Sequence, residues 1–348
     1  MIESVSRTTS QRVGVSDGSV TALVCTRDRP ESLVRTIRSL LASDDVQFEL
    51  VVIDQSDDPE SAQSLAPFAS DPRLRHVRSS SRGAGAALNE GLRLARGEIL
   101  AVTDDDCEAP PGWVAAMVRV LGEQPTAAIV FCNVMASPHD QRAGYVPAYQ
   151  RRRSRLVRSV GATCAGHGLG AGMALRRDVV AALGGFDEAL GPGARFHAAD
   201  DWDIAFRVLL SGWHIYETSE VSILHHGFRT FAEGREHARR DWIGIGALGA
   251  KLLRARHFGA AAVLLWEFSA HALWPPFADL LRLRRPCGLA RIVGFVQGLG
   301  QGLHMPVGRK TLLFGQANLE QNLDVLPPVK APVDRRTGGD RDGVNIHR

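Results

Sequence analysis

The stretch GEILAVTDDDCEAPPGW (residues 97–113) contains a short apolar run that ends in three consecutive aspartates. An aliphatic run of this length, bounded by polar residues, is typical of a buried strand, and we predict a strand over 98–106. Adjacent carboxylates repel one another, so their place at the end of a hydrophobic segment requires a compensating charge. A bound divalent cation would supply that charge, which makes this stretch the first candidate for a functional site.

Helix-like and strand-like patterns alternate on both sides of this stretch. An apolar run at 20–25, a helical pattern at 33–43 and a second apolar run at 48–54 form a βαβ unit, which requires a parallel sheet. Further strands are predicted at 73–79, 127–136 and 220–227. Further helices are predicted at 85–95, 112–125 and 202–212. The alternation predicts an α/β fold with one mostly parallel, Rossmann-like sheet.

Composition narrows the class of protein. With 348 residues, of which 45% are hydrophobic, the chain can form one large domain with a proper core and an appendage. A net charge of +3 gives no support to nucleic-acid binding. The five cysteines are scattered without a C-x-x-C pair, which argues against a disulfide framework or a zinc site and favours a reducing compartment. The first twenty residues are polar and lack the apolar core of a signal peptide, so we expect a cytoplasmic protein.

Polar segments follow three of the predicted strands, at 25–29, 54–58 and 104–106. Ligands of parallel sheets bind beyond the carboxyl ends of the strands, so we expect these segments to converge on one edge. On an extended chain Asp104 and Asp106 would point to the same side. Two carboxylates on an open edge suit Mg²⁺ or Mn²⁺, and such an ion can neutralise a nucleoside-diphosphate leaving group. A solvated acidic turn is the alternative interpretation.

Five blocks of the sequence resemble the family 2 glycosyltransferases in their order and spacing. The blocks are VTALVCTRDRPESLVRTIRSL, FELVVIDQSDD, GEILAVTDDDCEAPPGW, GLGAGMALRRDVVAALGGFDE and ADDWDIAFRVLLSGW. The resemblance covers approximately residues 19–230. It implies a GT-A fold and an inverting transfer from a nucleotide sugar, with a Mn²⁺ or Mg²⁺ ion held by the D-x-D motif.

The resemblance implies a donor site at the strand ends. Thr26, Arg27 and Arg29 match the loop after the first strand, which surrounds the nucleoside of the donor. Asp54 matches the acid that contacts the nucleotide base.

The aspartate triplet and a later histidine complete the implied donor and metal sites. Asp104 and Asp105 are assigned to the nucleotide sugar, with Asp104 closest to the ribose or the donor sugar. Asp106 is assigned as the direct metal ligand. His225 matches a histidine that completes the metal site in some members, but His226 beside it leaves the choice between the two open.

The block ADDWD matches the acceptor side of the family's site. Asp201 matches the catalytic base, while Asp200 and Trp202 are assigned to the acceptor, with Asp200 standing where the family usually has Glu. Asp201 precedes a predicted helix, whose N-terminus favours an anion, and a helix cap is its alternative role. The family often has Arg where this chain has Leu88. A cationic contact to the donor is therefore either missing or supplied from elsewhere, such as by Arg82.

Long apolar segments follow the region of resemblance. The run at 258–277 is long enough to span a membrane, but Glu267 and His271 lie one helical turn apart and predict an amphipathic helix instead. A similar run at 288–304 follows the basic segment RLRRP (282–286). These helices either lie in a membrane interface or pack against protein, and the sequence leaves both interpretations open.

The chain is expected to divide into four parts. These are a flexible N-terminus at 1–18, a GT-A catalytic domain at 19–235, a helical C-terminal region at 236–326 and a disordered tail at 327–348. The arginine-rich segment 149–158 is predicted to be a loop or a short helix, either solvated or holding a phosphate-bearing acceptor.

The expected function is glycosyl transfer from a UDP-, GDP- or dTDP-linked donor to a glycan or lipid-linked acceptor. The expected context is a bacterial surface polysaccharide or glycoconjugate, in the cytoplasm or at the inner face of the plasma membrane, without a nucleic-acid partner. A sugar nucleotidyltransferase is one alternative, but it would need a Gly- and Lys-rich phosphate loop where this chain has CTRDRPES. A catalytically silent binding module is the other. The first strand lacks a following G-x-G-x-x-G, which argues against a dinucleotide-binding dehydrogenase.

Overall fold

The computed structural model describes residues 20–43, 46–165 and 168–315. The expected flexible N-terminus (1–18) and disordered tail (327–348) lie outside the described residues. Within the described chain, helices alternate with the strands of one large sheet, and further helices follow. The predicted mixed α/β fold with a mostly parallel sheet and a helical C-terminal region is confirmed.

The main sheet has nine strands. They are β1 (Val20–Thr26), β2 (Glu49–Asp54), β3 (Leu74–Arg78), β4 (Ile99–Asp104), β5 (Cys107–Glu108), β6 (Ala127–Ala136), β8 (Arg155–Val157), β9 (Gly172–Arg176) and β10 (His214–His225). Their order is β3-β2-β1-β4-β9-β6-β10-β5, with β8 also paired to β10. The short strands β7 (Gly144–Tyr145) and β11 (Arg229–Thr230) pair in a separate ribbon.

The parallel half of the sheet aligns the predicted polar strand ends. β1 pairs in parallel with β2 and β4, with Thr26 opposite Asp54 and Cys25 opposite Asp104. The three carboxyl ends therefore lie side by side on one edge, as the sequence predicts. Alternate residues of these strands, such as Leu23 and Val24, enter apolar clusters on opposite faces, so both faces of the sheet are covered.

Helices cover both faces of the sheet and form the C-terminal region. They are α1 (Pro30–Leu41), α2 (Glu60–Ser64), α3 (Ala84–Leu94), α4 (Trp113–Glu123), α5 (Arg177–Ala182), α6 (Asp200–Leu210), α7 (Phe231–Arg254), α8 (Phe258–Phe268), α9 (Trp274–Leu281) and α10 (Leu289–Leu303). A π-helical turn, Ser269–Leu273, joins α8 to α9.

Two strands differ from the sequence prediction. β9 was not predicted, and it lies antiparallel between β4 and β6. A Cβ at Gly172 in β9 would lie 2.6 Å from Cys132 Sγ, so a glycine lets these strands approach. β10 begins at His214 rather than at 220, and its pairing with β6 contains register shifts.

The arginine-rich segment contains strand β8 instead of only a loop or helix. Arg155 Nε donates to Glu217 Oε2 at 2.5 Å, and Arg151 Nε lies 3.3 Å from the same oxygen. The Glu217 side chain is 1% exposed, so the two guanidinium groups compensate a buried charge. These two arginines thus have a structural role, which corrects the expectation that the whole segment is solvated or holds an acceptor phosphate.

The C-terminal helices pack closely on the rest of the protein. A Cβ at Gly298 in α10 would lie 1.9 Å from Ile243 O in α7, so this helix pair depends on small residues at its contact. The rings of Phe268 and Phe295 stack with their centroids 4.0 Å apart. Glu267 and His271 pair at 3.4 Å on one helix face, as predicted, although the π-helical turn interrupts the single helix expected at 258–277. Among the described helices, none has the length and apolar character needed to cross a bilayer.

Candidate active site

The aspartate triplet marks the point where β4 ends and the chain turns. β4 stops at Asp104, and Asp105 and Asp106 form the turn into β5. The extended geometry assumed in predicting that Asp104 and Asp106 share one side is therefore wrong. The two carboxylates are still neighbours, because the charge of Asp106 helps to raise the pKa of Asp104.

Asp105 points into the protein rather than into the cleft. Its side chain is 5% exposed, and it accepts hydrogen bonds from Thr26 Oγ1 at 2.7 Å and from Arg29 Nη1 at 3.1 Å. Thr36 Oγ1 contacts the Asp105 carbonyl oxygen at 2.9 Å. Asp105 and Thr26 thus tie the turn to β1, and their side chains are not free for the donor contacts that the sequence predicted.

Asp106 and His225 lie together at the end of two paired strands. The register places His225 of β10 opposite Cys107, and His225 Nε2 lies 3.3 Å from Asp106 Oδ1. Asp106 Oδ1 is buried and accepts no hydrogen bond from the described residues, while Arg29 Nη1 lies 3.2 Å from Asp106 Oδ2. His226 instead pairs with Glu108 at 3.1 Å, so His225 is the histidine placed beside the aspartates.

The surroundings of Asp106 and His225 fit a divalent cation. His225 Nδ1 lies 2.8 Å from the Pro147 carbonyl oxygen, and a proton donated there leaves Nε2 as the free ligand atom. A Cβ at Gly227 would lie 2.6 Å from His225 Nε2 and 3.0 Å from Asp106 Oδ2, so only glycine leaves this space open. Cys107 is close enough to be a ligand, but burial raises its pKa well above the usual thiol range and keeps it protonated.

The pKa values of the ionisable groups around Asp106 shift in different directions. Burial opposes ionisation of Asp106, but His225 and Arg29 outweigh it and lower the pKa of Asp106. Burial likewise opposes charging of His225, but contact with Asp106 raises the pKa of that imidazole. Asp104 is exposed on its outer side, yet loss of water around the carboxylate, with the charge of Asp106, raises its pKa to about 7. A cation would relieve this crowding of negative charge.

Asp200 and Asp201 begin the first turn of α6. Asp201 Oδ1 accepts from the Trp202 backbone N–H at 2.8 Å, and Asp201 Oδ2 lies 3.4 Å from Gly170 N. Thr103, which precedes Asp104, donates from Oγ1 to the Ala171 carbonyl oxygen at 2.8 Å. The end of β4 and the start of α6 therefore contact the same short segment before β9. Burial raises the pKa of Asp200 to about 7, with the charges of Asp201 and Asp104 contributing.

Asp54 is fully buried, which disagrees with the direct base contact predicted for it. Its Oδ1 accepts from the Ser56 backbone N–H at 2.9 Å, and its Oδ2 lies 3.0 Å from His76 Nε2. Burial opposes ionisation, but the contacts with Ser56 and His76 prevail and lower the pKa of Asp54. The carboxylate therefore organises the loop after β2, and it has no oxygen open to a ligand.

Arg27 and Arg82 lie on the rim of this loop. Arg27 Nη2 lies 3.2 Å from Asp57 Oδ2, and Arg82 Nη2 contacts the other oxygen of the same carboxylate. Both side chains keep nearly half of their surface exposed. The donor contact predicted for these two arginines stays a prediction.

Trp202, which the sequence assigns to the acceptor, is half-buried beside Phe206, with ring centroids 5.8 Å apart. Only part of its face can therefore meet a ligand.

Asp241 of α7 is an additional acid that the sequence does not predict as a site residue, because it lies among helical residues with no motif around it. Burial raises its pKa, the charge of Asp201 adds to the shift and that of Arg291 opposes it.

The cavity of about 290 Å³ lies elsewhere in the described chain. It is lined by Asn89, the 184–189 loop and residues 313–315, and it includes none of the predicted site residues. The candidate active site instead lies at the ends of β4 and β10, where Asp106 contacts His225.

The model for the family described as Glycosyl transferase family 2 matches residues 21–184, which include β1, the aspartate turn and β9. Over these residues the chain is similar to glycosyltransferase family 2. Its matched segment ends before α6, so the acceptor side lies beyond the part that the family model describes.

Curated relatives share about a quarter to a third of the aligned residues with this chain. Glucosyl-dolichyl phosphate glucuronosyltransferase of Haloferax volcanii is 26% identical over 184 residues, which cover 49% of this chain and 57% of the relative. Succinoglycan biosynthesis protein ExoO of Rhizobium meliloti is 34% identical over 101 residues, which cover 29% of each chain. The chain thus spans little more than half of the first relative's length and less of the second.

A solved structure shares the fold of the chain. The mannosyltransferase PcManGT of Pyrobaculum calidifontis, in complex with GDP-Man and Mn²⁺, has a TM-score of 0.57 and 20% sequence identity. The match covers 83% of this chain and 88% of that one. This likeness confirms the expected GT-A fold.

Proposed function

We propose that the chain is an inverting glycosyltransferase, which moves a sugar from a nucleotide-sugar donor to an acceptor hydroxyl. The observation that carries the proposal is the placement of the charged groups: Asp106 lies beside His225 at the strand ends, while Asp201 contacts the segment before β9 that also contacts the end of β4. This edge of the sheet offers a cation-binding corner and a carboxylate that can act as a base.

The donor end is assigned to the corner around Asp106 and His225. These two side chains would hold a Mn²⁺ or Mg²⁺ ion, which when bound neutralises the diphosphate and stabilises the charge of the leaving group. Arg27 and Arg82 on the rim carry exposed guanidinium groups that can reach phosphate or ribose oxygens. Asp104, exposed beside the ion position, can accept hydrogen bonds from the sugar or ribose hydroxyls.

The acceptor end is assigned to Asp200, Asp201 and Trp202. An inverting transfer needs a base that removes the acceptor proton as the hydroxyl attacks the anomeric carbon. Asp201 lies in the first turn of α6, where the helix N-terminus stabilises an anion. Burial and the charge of Asp201 raise the pKa of the neighbouring Asp200 to about 7.

The substrates are proposed by class. The donor is a UDP-, GDP- or dTDP-linked sugar, and the acceptor is a glycan or a lipid-linked saccharide used in polysaccharide or glycoconjugate assembly. One relative acts on a dolichyl phosphate sugar and another belongs to succinoglycan biosynthesis, which supports this class of acceptor.

The test is a transfer and donor-hydrolysis assay with a panel of nucleotide sugars and Mn²⁺. Replacement of Asp201 by Asn should reduce transfer by at least about a hundredfold, because it removes the base, while donor affinity stays within a few-fold of the unchanged protein. The matched control is Asp178→Asn, an exposed acid in the first turn of α5, which should keep full activity.

The stereochemistry and the loss of activity give separate outcomes. Inversion predicts that the anomeric configuration of the product, read from its proton NMR coupling, is opposite to that of the donor. Retained configuration, or substantial transfer by Asp201→Asn, would contradict the mechanism. Binding of nucleotide sugars without turnover of any donor would indicate a silent binding module instead.

A further inference from the structure

The C-terminal helices carry most of the exposed apolar surface of the protein. Of the seventeen large apolar side chains that are exposed among the described residues, thirteen lie between Phe258 and Leu303. Leu283 is 97% exposed, Leu281 is 66% exposed and Trp274 is 59% exposed. An exposed apolar patch on this scale indicates a binding surface rather than ordinary surface composition.

These side chains form stripes at helical spacing. On α9, Trp274, Phe277 and Leu281 are separated by three and four residues, and on α10 the exposed Leu289, Val293 and Val296 follow the same pattern. Residues three and four apart share one face of a helix. We call the exposed apolar residues of α8, α9, the following loop and α10 the apolar face.

The opposite sides of these helices are already used for packing. Phe268 and Phe295 stack on each other, and Gly294, Gly298 and Gly302 of α10 have neighbouring atoms at the position of a Cβ. Packing against the protein therefore accounts for the inner sides of α8 and α10. The apolar face is left uncovered by the residues that the structure describes.

The charges around the apolar face are mainly positive. Arg282, Arg284 and Arg285 are exposed in the loop after α9, next to Leu281 and Leu283. In such a loop the arginines can contact the anionic headgroups of a bilayer, while the apolar side chains between them enter the boundary with the acyl chains.

The segment 258–303 has only two acidic residues, Glu267 and Asp279. Glu267 is 9% exposed and pairs with His271, and Asp279 Oδ2 accepts from the Cys287 backbone N–H at 3.1 Å. Few negative charges therefore oppose an anionic surface. The two exposed indoles, Trp266 and Trp274, are of the type that accumulates at membrane–water interfaces.

We propose that the apolar face docks in the interface of an anionic lipid bilayer, with the helices lying in the membrane plane. The arginines of the 282–285 loop would contact lipid phosphates, while Leu281, Leu283 and Trp274 enter the boundary with the acyl chains. This docking is independent of the transfer reaction, so each can fail without the other.

The helices of the apolar face pack on the side of the protein where α6 begins. A Cβ at Gly298 of α10 would lie 1.9 Å from Ile243 O of α7, and a Cβ at Gly244 of α7 would lie 2.5 Å from Ala198 O, two residues before Asp200. Docking through α10 would therefore hold the acceptor side of the protein close to the membrane, where a lipid-linked acceptor resides.

The test measures binding of the full chain to vesicles. Vesicles of phosphatidylcholine mixed with phosphatidylglycerol should sediment the protein and shift its tryptophan emission to the blue, whereas phosphatidylcholine alone should bind it more weakly. Lipids brominated along the acyl chain should quench the emission, and Trp266→Phe/Trp274→Phe should lose most of that quenching.

Two variants separate the apolar from the ionic contribution. Leu281→Ser/Leu283→Ser should reduce partitioning at least tenfold, and Arg284→Glu/Arg285→Glu should reduce it by more than about fivefold per arginine for anionic vesicles. The matched controls are Phe231→Ser, an exposed ring elsewhere, and Arg152→Glu/Arg153→Glu, an exposed arginine pair elsewhere. Both controls should bind like the unchanged protein.

Three outcomes would overturn docking. The first is absence of binding to anionic vesicles. The second is equal binding by the leucine variant, the arginine variant and their two controls. The third is a stable dimer in light scattering that Leu281→Ser/Leu283→Ser converts to a monomer. The last result would assign the apolar face to a second copy of the chain. Thermal unfolding of every variant checks that loss of binding is not loss of fold.

Discussion

Lys251 of α7 is buried between the carboxylates of Asp187 and Asp203, the second of which belongs to α6. Its Nζ lies 2.7 Å from Asp187 Oδ2 and contacts Asp203 Oδ1, and all three side chains are about 1% exposed. Asp203 also accepts from Arg207 Nε at 2.8 Å on the same helix, α6. Lys251 thus connects the C-terminal helices to the helix that carries the proposed base.

Replacement of Lys251 by Met keeps the length of the side chain and removes its charge. Asp187 and Asp203 would then face each other without their shared cation, and only Arg207 would remain. Removing one partner of a buried ion pair typically costs about 3–5 kcal/mol, and we expect the free energy of unfolding to fall by this amount. The matched control is Arg254→Met, also on α7 but exposed, which should change stability by less than about 1 kcal/mol.

Urea unfolding, followed by tryptophan fluorescence and circular dichroism, measures this difference. The double replacement Lys251→Met/Asp187→Asn should recover part of the loss, because it removes one of the two facing charges. A loss below about 1 kcal/mol in Lys251→Met, or no recovery in the double variant, would show that the cluster does not work through charge compensation.

Three further predictions concern the strand-end cleft. Gly227→Ala places a methyl group 2.6 Å from His225 Nε2, so we expect Mn²⁺ affinity measured by calorimetry to fall at least tenfold without loss of fold. Because Asp106 raises the pKa of His225 and protonated imidazole cannot bind metal, Mn²⁺ affinity should fall by about tenfold per pH unit as pH drops below that pKa, and a flat pH profile would argue against His225 as a ligand. His76→Ala leaves a buried oxygen of Asp54 unpaired and should lower stability by about 1–3 kcal/mol in urea unfolding, whereas no change would mean that water replaces the imidazole.

The main architecture follows from patterns that are local in sequence. Apolar runs of strand length before Asp54 and Asp104, with a helical pattern between strands, suffice to predict a parallel sheet whose polar ends meet. The D-x-D motif then indicates which edge carries the site, and these inferences depend on residue type and spacing. The assignment of the block around Asp201 depends instead on its resemblance to the family.

Other features depend on contacts between distant residues. From the sequence Arg155 belongs to a basic loop, because the buried Glu217 that it contacts lies 62 residues later in the chain. From the sequence Asp54 is an open strand-end acid, but one of its carboxylate oxygens is in hydrogen-bond contact with His76 on the next strand. From the sequence Lys251 is an ordinary helix lysine, because no residue near it in sequence indicates that it contacts two carboxylates in the fold.

The central claim is that Asp106 and His225 together hold a divalent ion against the donor diphosphate. Electron–nuclear double resonance of Mn²⁺ bound with a nucleoside diphosphate tests it most directly. We predict a nitrogen coupling from one imidazole and phosphorus couplings from the diphosphate on the same ion, with the nitrogen coupling lost in His225→Gln and retained in His226→Gln. Phosphorus couplings without a nitrogen coupling in the unchanged protein, or a nitrogen coupling that survives in His225→Gln, would contradict the account.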